Sequence, residues 1–288
     1  MKKLFYIPLA LLFITLTACE DVVQIDLDKG SKMYVIDAFL NDKGGTQTVR
    51  VLENDSYFST TEAPPVSYAQ VKVTDLTANK TFSFTYAGNG NYAYTGSDTI
   101  GGNEHLFRLT VTIDGVDYTS EEVQHRKAIL DTIVPVDFEA LGFGPDAPKG
   151  IQAIVARDLM GPATDYYNII TYRNDTLMNP TSPNLVIDGT GGAIPDDGTP
   201  FRFFDPPGIY QNFVRFKKGD RCRCEIHSIS HDNLYWYIQA QNQINNAGLF
   251  ATTPENVKTN ILTPTNAKYK ATGRFSMAGV VWMEVLVQ

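Results

Sequence analysis

The residue whose surroundings define its chemistry most narrowly is a thiol near the start of the chain, Cys19. Leu16-Thr17-Ala18-Cys19 closes a segment that opens with Lys2 and Lys3 and runs through apolar residues from Leu4 to Leu16. A basic start, a short apolar run and small residues before a cut form an export signal. The apolar run is too short to cross a bilayer, which takes about 20 such residues. With cysteine at the cut, the segment reads as a bacterial lipoprotein signal. A peptidase removes residues 1–18, and the Cys19 thiol carries lipid such as palmitate. One acyl chain holds only weakly, whereas two or more anchor a protein stably.

Other reactive side chains are few. Cys222 and Cys224 flank Arg223. On a strand they face one side, roughly 6.5–7 Å apart, which disfavours a bridge between them. They read as two core thiols. His227 and His231 have the spacing of two ligands on one helix face. The helix expected here begins only near Ser230, so the two diverge and no metal is expected. Glu121-Glu122 and Asp196-Asp197 are adjacent pairs and cannot face each other across a substrate; they read as turn and edge residues. Gly88-Asn89-Gly90-Asn91-Tyr92-Ala93 has a dinucleotide-like spacing, but it lies between two alternating strands and opens no helix. No Gly-x-Ser-x-Gly elbow occurs. Neither a cofactor nor an enzymatic activity is expected.

A different kind of candidate is Phe201-Arg202-Phe203-Phe204, framed by Pro200, Pro206 and Pro207. Aromatic residues and arginine dominate interface hot spots, so this stretch could be a binding loop for a transporter or ligand. Equally, its phenylalanines could plug a core.

These groups need elements to hold them. Residues 32–126 read as an immunoglobulin-like β-sandwich of short alternating strands. Val49 and Val51 share a face, as do Val71 with Val73, and Phe82 with Phe84. Asp114-Gly115 marks a tight hairpin. Residues 127–288 read as a second, β-rich domain. It contains a long irregular excursion over 174–208, two closing strands after Tyr269, and one helix near 231–246. Ser230 is that helix's N-cap, and Leu234, Tyr237, Ile238, Gln241 and Ile244 form its apolar face. The fold class is mainly β, with one α-helix in the second domain. Residues 19–31 read as a tether.

Acidic residues outnumber basic ones by 32 to 24, for a net charge of −8. Removing residues 1–18 takes two lysines with it. Nucleic acid is therefore not an expected partner, and the lipid on Cys19 supplies the grip on the membrane.

Several pieces in order resemble a known family. Cys19-Glu20-Asp21-Val22-Val23 comes first, then Gln47-Thr48-Val49-Arg50-Val51 and Ser56-Tyr57-Phe58-Ser59. Pro64-Pro65-Val66-Ser67-Tyr68-Ala69-Gln70-Val71, Asp165-Tyr166-Tyr167-Asn168-Ile169, Leu234-Tyr235-Trp236-Tyr237 and Thr259-Asn260-Ile261 follow. The order is similar to two-domain Bacteroidetes outer-membrane lipoproteins of unknown function, usually encoded beside a TonB-dependent receptor. Thr263 to Lys268 departs from that family's glycine-rich approach to the last strands. The resemblance implies a binding accessory to a TonB-dependent transporter, one that captures a ligand or covers the transporter mouth. It supplies no catalytic residues. An adhesin or fimbrial subunit is an alternative, although the polar stretch 20–31 makes a poor donor strand; a hydrolase is a second. Glu20 and Asp21 resemble surface-export signals, which favours the cell surface over the periplasmic face, but they also suit a solvated tether.

If Cys19 is the anchor, Cys19→Ala leaves an unprocessed precursor that takes up no labelled fatty acid. Continued acylation of that variant would show that the anchor lies elsewhere.

Overall fold

The computed structural model describes residues 31–55, 59, 61–137, 151–155, 164–178, 183–188, 201–202, 216–246 and 255–288. Cys19, the signal segment and most of the tether lie outside these residues. Lys32–Gln288 forms one unit.

Its first half follows the alternation in the sequence. Strands β1 (Met33–Asn41), β2 (Gln47–Glu53), β3 (Gln70–Asp75) and β4 (Lys80–Gly88) come first. They are followed by β5 (Asn91–Tyr94), β6 (Leu106–Ile113) and β7 (Val116–Val123). Every second residue points inward: Tyr34, Ile36, Ala38 and Leu40 on β1, and Phe107, Leu109, Val111 and Ile113 on β6. The β6–β7 hairpin turns on Asp114 at φ 51° and Gly115 at φ 75°. Positive φ at both central residues matches the right-handed twist of the flanking strands. The sheet curls until its two ends face each other. The rings of Tyr34 on β1 and Tyr118 on β7 meet edge-on at 5.6 Å. One continuous core fills the interior.

The second half adds β8 (Ile133–Asp137), β9 (Ile151–Val155), β10 (Asp165–Arg173), β11 (Thr176–Leu177), β12 (Asn184–Asp188), β13 (Phe201–Arg202) and β14 (Arg221–Ile229). Helix α1 (His231–Ile244) and strand β15 (Lys270–Leu286) complete it. The described residues are thus mainly β with one helix. The excursion expected to be irregular carries the short strands β11, β12 and β13. β13 pairs with β9, which pairs with β8 in a separate three-stranded sheet. Cys222 and Cys224 are both buried, in the core beneath β14.

The two closing strands expected after Tyr269 are instead one strand of 17 residues. Its first part runs parallel to β1, from Lys270 beside Met33 to Ala278 beside Asn41. Its second part runs antiparallel to β14, from Gly279 beside Ser228 to Leu286 beside Arg221. β15 therefore carries one 12-stranded sheet across both halves of the chain, past the boundary expected at residue 126. At the change of partner, the Asp42 carboxylate accepts from Val280 N at 2.8 Å and from Gln124 Nε2 at 2.8 Å. Lys127 Nζ lies 2.7 Å from the same carboxylate. On the other edge of β15's first part, side chains replace a neighbouring strand. Asn260 accepts from Phe275 N at 2.9 Å and donates to Phe275 O at 2.8 Å. Thr263 Oγ1 accepts from Ala271 N at 2.9 Å.

Gly273 makes the close approach of β15 to β1 possible. Its φ is +111°, and a Cβ there would lie 2.1 Å from the Ile36 carbonyl oxygen. Left-handed strain and a backbone clash add, so Gly273→Ala should cost roughly 2–5 kcal/mol of stability. Urea denaturation reads this directly. An unchanged midpoint would mean that the strands tolerate a wider separation.

Candidate functional site

Helix α1 starts where the sequence places it. Ser230 is extended (φ −74°, ψ 159°), and its side chain accepts from Asn233 N. Asp232 in the first turn complements the positive helix end. The buried face is narrower than the 3–4 period implied. Leu234 is buried and packs with Ile229, Ala278 and Val280, but Ile238 is 39% and Ile244 67% exposed. The rest of the buried face is polar.

Asn233, fully buried, is the hinge of that polar part. Its Nδ2 donates to Glu122 Oε1 at 2.9 Å, and its Oδ1 accepts from Arg274 Nε at 2.5 Å. Arginine only donates and a carboxylate accepts, so the amide can sit one way round. Three elements meet here: β7 brings Glu122, β15 brings Arg274, and α1 brings Asn233. The adjacent pair Glu121-Glu122 lies on β7, the last strand of the sheet, but only Glu121 is at the surface. Strand alternation sends Glu121 to the surface, where it binds Arg108 at 2.5 Å, and Glu122 into the interior.

Burial pushes the Glu122 carboxyl up to about 7, against opposing pulls from the Ser230 hydrogen bond and the Arg274 charge; Asp232 adds to the rise. Burial also lowers Arg274, and the Glu122, Asp232 and Tyr237 charges oppose that.

Above this network lies an open cavity of about 290 Å³ lined by His231, Asp232, Tyr235, Trp236, Gln239, Lys258 and Arg274. Its aromatic walls brace one another and lean on rings outside the cavity. The His231 ring meets Tyr166 at 5.2 Å and Tyr235 at 4.5 Å. Trp236 packs on Phe39 of β1 at 5.2 Å. Lys258 N donates to Gln239 Oε1 at 3.4 Å, which ties the rim to the helix. A second, more apolar hollow of about 460 Å³ shares Trp236 and runs past Tyr237 toward Tyr172 and Leu177. Tyr237 is pushed up to about 12 by burial, opposed by its hydrogen bond to Asn168.

Of the candidate residues singled out in the sequence, His231 alone among the described ones lines this cavity. Phe201 and Arg202 form β13, while Cys19, Phe203 and Phe204 lie outside the described residues. His227 sits on β14, with Nε2 3.2 Å from Glu225, apart from His231 on the helix. Among the described residues no three His, Cys, Asp or Glu side chains cluster in a way that could hold a metal. Sequence reasoning missed Glu122, Asn233, Trp236 and Arg274. A signal was present for one of them, because Glu122 lies in phase with the inward-facing Tyr118.

The raised Glu122 sets a pH dependence. An acid whose folded pKa exceeds its unfolded value stabilises the fold below the unfolded value, near 4.5 here, and that contribution fades as pH rises through about 7. Glu122→Gln keeps the acceptor for Asn233 and removes the titration. Its stability relative to the parent should therefore improve from about pH 5 to about pH 8, by at most about 3 kcal/mol. Denaturant midpoints at both pH values test this, and a constant difference would contradict the burial of the carboxyl.

Comparison with known proteins adds the family. No curated protein matches this chain. A candidate carbohydrate-binding protein from Bacteroides uniformis, known from a crystal structure, shares 12% identity over 68% of this chain and 89% of its own. The TM-score is 0.18, too low to bear on fold or ligand. The family model of DUF4249, a domain of unknown function, matches residues 20–281. With nearly its whole length matched, the chain belongs to the DUF4249 family.

Proposed function

We propose that this chain is a binding protein that holds a small polar ligand in the cavity on α1. Lipid on Cys19 anchors it at the outer membrane, at the cell surface, beside a TonB-dependent transporter that takes the ligand onward. The observation carrying the binding role is the cavity itself. Aromatic faces, one amide and two cations converge over a braced polar floor, and small-molecule sites combine an apolar lining with a few placed polar groups. Among the described residues the lining offers His231 no serine, threonine or cysteine to activate, and its aromatic, amide and charged groups suit holding a ligand. The anchor and the transporter rest on the lipoprotein signal and on the family resemblance of the sequence.

The protein has two tryptophans, Trp236 in the cavity wall and Trp282, which is half exposed on β15. Trp282→Phe leaves Trp236 as the only reporter. A ligand that enters the cavity should change its fluorescence saturably. The panel is neutral and acidic sugars, dipeptides and fatty acids. Tyr235→Ala removes a 52% exposed ring and should weaken binding about tenfold at little cost in stability. No saturable change with any member of the panel would overturn the binding role. A tagged chain that brings down no β-barrel from outer membranes would remove the transporter from the proposal.

A further inference from the structure

Arg274 is 3% exposed, yet its guanidinium is only partly used. Nε donates to Asn233, and among the described residues the terminal nitrogens make no hydrogen bond. Arginine carries five N–H donors in a planar fork, and those not used by Asn233 are left for a group in the cavity. Glu122 and Asp232 attract the charge, but neither bonds its terminal nitrogens. The Glu122 carboxylate is taken up by Asn233 and Ser230, with the Asn233 amide standing between it and the guanidinium. Arg274 instead lines the cavity, where Lys258 on the rim also forms no ion pair among the described residues. Two cations face Asp232, the one carboxylate in the lining, and leave an excess of positive charge over the cavity.

Resting on the binding role proposed above, we infer that this cavity selects sugars bearing a carboxylate, the uronate class. The ligand carboxylate takes the free edge of the Arg274 fork, a pairing that is bidentate and strong for this geometry. Lys258 adds charge at the rim. The ring face lies on Trp236 and Tyr235, burying C–H surface against aromatic walls. Asp232 and Gln239 accept hydrogen bonds from ring hydroxyls. Asp232 is the reason to prefer a hydroxylated carboxylate to a bare inorganic anion. It repels an anion that has no donors and rewards one that has them. At about 290 Å³ the cavity lies just below the roughly 300–1,000 Å³ range of small-molecule sites, which suits a ligand as small as a single sugar.

The test uses the Trp282→Phe protein and Trp236 fluorescence, with galacturonate, galactose, galacturonate methyl ester and inorganic sulfate as probes. Galacturonate should bind at least about tenfold more tightly than galactose or the methyl ester, the worth of one charge-assisted pair. Arg274→Gln should abolish that preference, so that the variant binds galacturonate no more tightly than it binds galactose. Lys258→Gln, a substitution on the exposed rim, should weaken galacturonate severalfold and leave melting unchanged. The methyl ester alters only the ligand, so the comparison stands even if Arg274→Gln fails to fold. Equal binding of galacturonate, galactose and the ester would overturn the selectivity and leave the binding role intact. Sulfate that competes as well as galacturonate would also overturn it, by showing a general anion site. Failure of these probes together with the whole panel would remove the binding role itself.

Discussion

The partner exchange along β15 is the constraint on which the rest of the structure depends. A buried strand must pair its backbone N–H and C=O groups along its whole length. β15 does so with β1 up to Ala278 and with β14 from Gly279 onward. Where β1 ends, the next backbone donor would be left open. Asp42, the first residue after β1, fills the gap by accepting from Val280 N and is itself held by Gln124 and Lys127. The opposite edge of the β1-paired part of β15 is covered by the side chains of Thr259, Asn260 and Thr263 rather than by a strand. An open edge invites pairing with other chains, and here that edge is occupied.

This geometry creates the site. Arg274 lies on the β1-paired part of β15, beside Asp37. Five residues later the same strand begins to pair with β14, the strand that leads into α1. The helix is thereby set over the seam between the two halves, with Asn233 pointing down at Arg274 and Glu122. A looser joint between the halves would leave those three groups on separate surfaces. The same seam is tied a second time, where Lys43 from the β1–β2 turn pairs with Glu225 on β14.

The two kinds of charge in the molecule behave differently. Arg108–Glu121 and Lys80–Asp98 are exposed on both sides, and such pairs are worth at most about 1 kcal/mol. Glu122 and Arg274 are buried and do not touch. An amide mediates between them, so neither charge is fully neutralised by the other. Burial raises the acid, and the arginine keeps donors free. A residue that packing alone would replace with a hydrocarbon is the kind that marks a functional site, and the open cavity directly above it is where the unused donors can be satisfied.

Much of the fold was legible in the residues. Alternation in β1 to β7, the Asp114-Gly115 turn and the Ser230 cap are local effects. Strand period, positive φ and an orphan N–H each act within a few residues, so sequence alone determined them. The extent of β15 was not legible, because whether Ala278 and Gly279 end a strand or continue it depends on which chain lies alongside. The site was less legible still. Asn233 meets Arg274 across 41 residues and Glu122 across 111. Sequence periodicity could say that Glu122 points inward. Only the tertiary structure could decide what it points at, since long-range pairing of polar groups follows from how the strands close, not from the preferences of the residues themselves.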